Sequence, residues 1–175
     1  MLHRLGSAVL VAIGDTHATD DHRLSGAVLE AVREADVVVH TGDFTHEPVL
    51  DALEREAADL VAVAGNNDGP PIRARVPDTQ TVEALGRRFT VTHGHQHDDT
   101  ARSLLARQEG ADVLVVGHSH RPGIRRVGEV WELNPGSYAD PRWYEPAFGV
   151  VEREGGDLRA RLVRPDGTDI DATGL

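Results

Sequence analysis

The sequence predicts an α/β fold, and three observations predict it. Short apolar runs of strand length alternate with amphipathic helical stretches; each of those runs closes on glycine or histidine; and no stretch approaches the roughly 18 apolar residues that a membrane helix requires. A strand, a crossover helix and another strand in series join parallel strands, because a parallel pair cannot be closed by a tight turn. Such a sheet needs helices over its faces.

The first strand covers residues 8–14. It lies near the start of the chain, but it is short, has no small-residue cleavage pattern and meets Asp15 at once, which argues against a secretory leader. Leu24, Val28, Leu29 and Val32 then recur at helical spacing. Residues 37–40 form the second strand; over 47–59, Pro48 sits early and Leu50, Leu53 and Ala57 share one face of a helix. The run at 60–65 is a third strand, which completes βαβαβ. After a proline-rich connection at 69–77, residues 81–94 read as a hairpin turning near Gly86. A helix follows with Asp98 or Asp99 as N-cap and Gly110 as stop, then a strand at 113–117. Short β segments at 123–134 and 147–163 and a turn at 164–168 finish the chain. Without a repeat, a low-complexity tract or a linker, residues 1–175 read as one domain.

Composition removes several function classes. Cysteine is absent, so any metal is held by nitrogen and oxygen ligands and no disulfide framework exists, which suits a cytoplasmic protein. The net charge is −11, and all 18 basic residues are arginine. An acidic surface repels polyanions, so stable nucleic-acid binding through phosphate contacts is not expected, nor is a membrane partner. Two origins account for the composition equally: a halophilic habitat, where salt screens the self-repulsion, or a coding bias that replaces lysine by arginine.

In open α/β sheets the loops that leave the carboxyl ends of the strands converge on one crevice. Here those loops carry Asp15 and His17, Asp43, Asn66, His93 and His95, and His118 and His120. Asp15 and His17 lie two residues apart, as do His118 and His120, a spacing that can aim both side chains at a common centre. Each loop has a bland reading, as a turn or a satisfied histidine. The ordered set is more specific, because every one of these strand ends supplies oxygen or imidazole donors.

Taken in order, D-x-H at 15–17, G-D at 42–43, G-N-x-D at 65–68, H-G at 93–94 and G-H-x-H at 117–120 resemble the calcineurin-like metallophosphoesterase superfamily. The resemblance spans residues 9–137, with N-P-G-S at 134–137, and is nearest to the short, uncapped phosphodiesterases of the YfcE and MJ0936 type. It implies a four-layer α-β-β-α sandwich of two mixed β-sheets flanked by helices, with a dinuclear metal site at one edge. It further implies that Asp15, His17, Asp43 and His120 hold one ion, and that Asp43, Asn66, His93 and His118 hold the other. Asp43 then bridges, and Asp43, Asn66 and His93 position the metals and a bridging hydroxide for in-line attack on a small or nucleotide-like phosphodiester.

Such a ligand set makes physical sense. Mixed imidazole, carboxylate and amide donors suit two divalent transition-metal ions, Mn²⁺ first and Ni²⁺, Fe²⁺, Co²⁺ or Zn²⁺ as alternatives, better than Ca²⁺ or Mg²⁺. The ions bring roughly +4 and the two aspartates return about −2, which leaves a positive surplus for hydroxide and phosphate ester. Asn66 binds without adding negative charge. One departure is Asn67, which stands where many superfamily members carry a histidine beside the leaving group. His95 is the candidate substitute as acid, and H-x-H spacing also permits it to replace His93 as ligand, although His93 holds the H-G position. His40 and His46 read either as supports of the Asp43 loop or as ordinary histidines, Arg121 as a phosphate contact or a surface charge, and Asp68 as a turn former. Trp131, Trp143 and Tyr144 read as core or interface, possible contacts of a homodimer. Two other functions compete: a non-catalytic protein-binding scaffold like the Vps29 branch of the same fold, and a DNA nuclease of the Mre11 kind, which needs capping and dimerization segments beyond this length.

Overall fold

A computed structural model describes residues 8–175. The residues before them, part of the range read as one domain, lie outside that description. The chain opens as read: β1 (Val9–Ile13), α1 (Gly26–Glu34), β2 (Val37–His40), α2 (Glu47–Glu56) and β3 (Leu60–Ala62). Strands β1, β2 and β3 are parallel neighbours. Beside β1 the sheet continues with antiparallel strands from the end of the chain, β9 (Phe148–Glu154), β10 (Asp157–Val163) and β11 (Asp169–Gly174), in the order β11-β10-β9-β1-β2-β3. The second sheet contains β4 (Thr79–Ala84), β5 (Arg87–Thr92), β6 (Val113–Val116), β7 (Gly123–Val127) and β8 (Val130–Asn134), in the order β4-β5-β6-β8-β7. In it β5, β6 and β8 run parallel between antiparallel edges. Both sheets are therefore mixed.

The period of two along each strand decides the layers. In β1, Val11 and Ile13 face α1 and α2, where they meet Val28, Val32, Leu50 and Leu53. Leu10 and Ala12 point the other way, into a core shared with Phe89, Val91, Val113 and Val115 of the second sheet. On the far side of that sheet Leu114 and Val116 pack against Ala106 of α4 (Asp99–Glu109). The result is helix, sheet, sheet, helix, with central strands such as β1 and β6 buried on both faces and correspondingly apolar. Asp98 caps α4 by accepting from the Ala101 N–H at 2.8 Å, and Gly110 closes it at φ 62°.

Two elements escape the sequence pattern. Within the proline-rich connection, Pro70–Arg73 form α3, too short for any periodicity and begun by prolines that the first helical turn tolerates. β11 is a largely polar edge strand paired only with β10, so half of its hydrogen bonds and little of its side-chain surface tie it to the fold. Among the described residues no helix is long and apolar enough to cross a membrane.

Candidate metal centre

All the singled-out strand ends open at one edge of the sandwich. Asp15 and His17 follow β1, Asp43 follows β2 and Asn66 follows β3; His93 and His95 follow β5, and His118 and His120 follow β6. Donor atoms of Asp15, His17 and His120 form one group lying within 4.8 Å of one another, and those of Asp15, Asp43 and His93 form a second. Asp15 Oδ1 lies 3.6 Å from His120 Nε2 and 3.9 Å from His93 Nε2. Asp43 Oδ2 lies 3.1 Å from His17 Nε2 and 3.4 Å from His93 Nε2, so it touches both halves. Asn66 Oδ1 sits 2.9 Å from His93 Nε2 and 3.0 Å from His118 Nδ1. Asp15, Asp43, His93 and His120 are buried, whereas Asn66 and His118 stand exposed at the mouth.

Backbone carbonyls orient the rings. His93 Nδ1 donates to the Thr41 carbonyl at 2.7 Å, and His120 Nδ1 donates to the Asp140 carbonyl. With the proton held on Nδ1, the neutral ring presents its Nε2 lone pair to the centre, the tautomer that a metal requires. Asp43 is held in turn: its Oδ1 accepts from the Asn67 N–H and its Oδ2 from the Asn67 side-chain amide, both at 2.8 Å. Asp68 braces the same loop by accepting from the N–H groups of Asp43, Gly65 and Thr45. Asn67 thus has a positioning task.

The charges do not balance among these side chains alone. Burial pushes the Asp15 carboxyl up to about 7, the neighbouring Asp43 charge adding to the effect against the pull of His93 and His17. Asp43 is buried too, which raises it, but contacts with His17 and His93 outweigh this and hold it well below the carboxylate range. His17 is raised by its contact with Asp43; His93 is raised because Asp43 and Asp15 overcome the cost of its burial. Burial lowers His118, His120 and His95, helped for His118 and His95 by His93.

Whether a cation fits can be read from what lacks a partner. Both Asp15 carboxylate oxygens, His17 Nε2 and His120 Nε2 are buried without a hydrogen bond. A buried carboxylate so placed keeps much of its desolvation cost, and a shared cation is the group that would offset it. Backbone strain agrees: Asp15, His17, Asp43, His118 and His120 all adopt positive φ, between 44° and 68°. Each such non-glycine conformation costs about 1 kcal/mol or more and persists where function demands it. Close packing of the loops permits nothing larger than glycine between them. A Cβ at Gly65 would lie 2.1 Å from Asp43 Oδ1, and one at Gly117 would lie 2.4 Å from Thr41 Oγ1. The donor set fits divalent transition metals.

The sequence model of the calcineurin-like phosphoesterase superfamily domain matches residues 9–156. The chain belongs to that superfamily. A probable metallophosphoesterase of Methanothermobacter thermautotrophicus is 33% identical over 156 residues, covering 87% of this chain and 90% of the relative. The phosphodiesterase MJ0936 of Methanocaldococcus jannaschii is 27% identical over 135 residues, 71% of this chain and 80% of the relative. Among solved structures, Vps29 of Cryptosporidium parvum superposes with TM-score 0.78 at 19% identity, covering 97% of this chain and 98% of the other, a likeness of fold alone. The phosphoesterase is thus a metal-dependent hydrolase with candidate metal-binding side chains at its sheet edge.

Other singled-out residues of the phosphoesterase fall beside the centre. The His95 ring lies 5.4 Å from His93 and 6.1 Å from His118, on the rim. His40 is fully buried beneath the loops, stacked on Phe44 at 3.8 Å. It accepts from the Gly42 N–H at Nδ1, and its Nε2–H donates to Thr16, which donates to Tyr138, which donates to the His22 carbonyl. Burial holds His40 neutral, with a pKa down at about 3. His46 hydrogen-bonds the Ala18 carbonyl outside the centre. Trp143 is not core: it is 92% exposed. Sequence reasoning missed Thr41 and Asp140, which act on the histidines through main-chain carbonyls, and no residue-type signal marks such a role.

Proposed function

We propose that the phosphoesterase is a single domain that uses two divalent transition-metal ions, Mn²⁺ first among them, to hydrolyse a small or nucleotide-like phosphodiester. The observation that carries this reading is Asp15, wholly buried with both oxygens unpartnered and facing the Nε2 atoms of His93 and His120. Asp15, His17, Asp43 and His120 would hold one ion, and Asp43, Asn66, His93 and His118 the other. Asp43 suits the shared position because one oxygen approaches His17 and His93 alike. When bound, the ions supply an acidified water and a clamp for the phosphoryl oxygens.

The chain's own residues do the rest. The Thr41 and Asp140 carbonyls keep His93 and His120 in the ligating tautomer. Asn67 and Asp68 hold the Asp43 loop against the like charge of Asp15. Asn66 contributes an oxygen without charge, which preserves the positive surplus for the substrate anion. His95 would give the proton to the departing alkoxide, a reading supported by its ring lying 5.4 Å from that of His93 at the rim.

Hydrolysis of bis(p-nitrophenyl) phosphate with added Mn²⁺ tests the reading. Turnover that requires the metal and disappears in Asp43→Ala, together with metal bound by the native protein and lost from the variant, is the expected result. A scaffold of the Vps29 kind would give no turnover, and full activity in Asp43→Ala would refute the shared-ligand assignment.

A further inference from the structure

Large apolar side chains exposed among the described residues are Leu104, Trp143 and Tyr144, and the last two are adjacent in the chain, just beyond Asp140. Their segment is tied to the candidate ligands. The Asp140 carbonyl accepts from His120 Nδ1, the Asp140 N–H donates to Ser137 Oγ, and Ser137 Oγ donates to the Asp15 carbonyl. From Asp140 the chain reaches Trp143 in three residues, at most about 11 Å. A Tyr144 N–H to Pro141 carbonyl bond of 2.9 Å and the positive φ of Arg142, 53°, curl this stretch into a turn that projects Trp143 into solvent. Across from it, the Arg121 guanidinium stands 6.0 Å from the Tyr144 ring, next in sequence to His120. Arg73, Arg102 and Arg142 are paired with Asp78, Glu132 and Asp140, whereas Arg121 has no ion pair among the described residues.

We propose that Trp143, Tyr144 and Arg121 form a stacking subsite for the planar organic group esterified to the phosphate, a nucleobase or a similarly flat ring. The assignment rests on the phosphodiesterase reading and narrows its substrate class. Aromatic faces take up the π-surface of any base with little regard to its identity, and a free guanidinium can stack on the ring or meet the phosphate attached to it. An acidic chain of net charge −11 has few other exposed features that would retain an anion here, so the local cation and the aromatic pair do what the overall field opposes.

The protein has two tryptophans, so Trp131→Phe leaves Trp143 as the sole indole emitter, and Trp143→Ala in the native chain removes it. Adenosine 5′-monophosphate should quench Trp143 saturably while ribose 5-phosphate does not, and the response should vanish in Trp143→Ala. Tyr144→Ala and Arg121→Ala should each weaken the nucleotide by about 5- to 100-fold, the range of one stacking contact, with unchanged thermal unfolding. Trp143→Ala should also raise KM for a nucleoside phosphodiester several-fold and leave that for an alkyl diester unaltered. Equal quenching by both phosphates, equal KM changes for both diesters, or Trp143 emission that follows protein concentration because a second copy covers it, would each overturn the subsite. Diester hydrolysis without nucleotide quenching sinks the subsite alone; quenching without hydrolysis of any diester sinks the phosphodiesterase reading instead.

Discussion

Replacing Asp15 by asparagine removes a buried charge and a candidate ligand in one step, with opposite consequences in the presence and absence of metal. In metal-free protein the Asp15 carboxyl is raised from 3.8 to about 7 by burial, with both oxygens unpartnered. Each pH unit of that interval is worth about 1.4 kcal/mol, so the ionised side chain destabilises the metal-free fold by about 4 kcal/mol. The sign follows from proton binding. Between 3.8 and about 7 the folded protein keeps a proton that the unfolded chain has released, so stability from this group is complete below 3.8 and lost as pH rises through about 7. His40 runs the other way, since its pKa falls from 6.5 to about 3 and its contribution is lost as pH falls, which flattens the overall profile. The difference between wild type and Asp15→Asn cancels His40, which has no interaction with Asp15, and reads Asp15 together with its pull on His17 and His93. Urea unfolding in chelator should find the variant close to wild type near pH 4 and more stable by up to about 4 kcal/mol at pH 8. With Mn²⁺ at a hundred times its dissociation constant, wild type should gain about 2.7 kcal/mol and the variant much less. A pH-independent difference, or full metal stabilisation of the variant, would refute the account of Asp15 as a carboxylate waiting for a cation.

Other consequences can be checked alongside. Asn66→Asp adds a charge at the mouth beside His93 and His118; metal content should persist while KM for a phosphodiester rises by about fivefold or more, and an unchanged KM would count against the electrostatic surplus. Gly65→Ala drives a Cβ to 2.1 Å from Asp43 Oδ1 and 2.4 Å from its backbone nitrogen, so atomic absorption should find metal lost and unfolding should show about 1–3 kcal/mol of overpacking. In His40→Gln no group titrates at this position; the variant should gain about 3 kcal/mol on wild type between pH 7 and pH 4, and a stability difference constant with pH would exclude a buried neutral imidazole there.

What the sequence determined by itself is the periodic and the ordered. Apolar runs such as Val9–Ile13 and Val113–Val116 are buried on both faces and so legible as strands, and the helices facing them carry Val28, Val32, Leu50 and Leu53 at the spacing of one stripe. The donors at the strand ends were legible because loops leaving parallel strands must gather at one edge, whatever their separation along the chain. Asp68 could likewise be read as a turn former, although its three N–H partners, two of them more than twenty residues away, could not. Short or edge elements, α3 and β11, were illegible because neither has length or apolar contrast enough to leave a period.

Only the tertiary structure decided the rest, since it depends on contacts between loops distant in sequence. That Asp43 approaches both His17 and His93, that Thr41 and Asp140 set histidine tautomers through carbonyls present in every residue, and that Trp143 stands in solvent are facts of position, not of residue type. Residue types specify which chemistry is available; packing alone specifies which atoms share a space that water cannot enter, and there an unpaired carboxylate becomes costly enough to call for a metal.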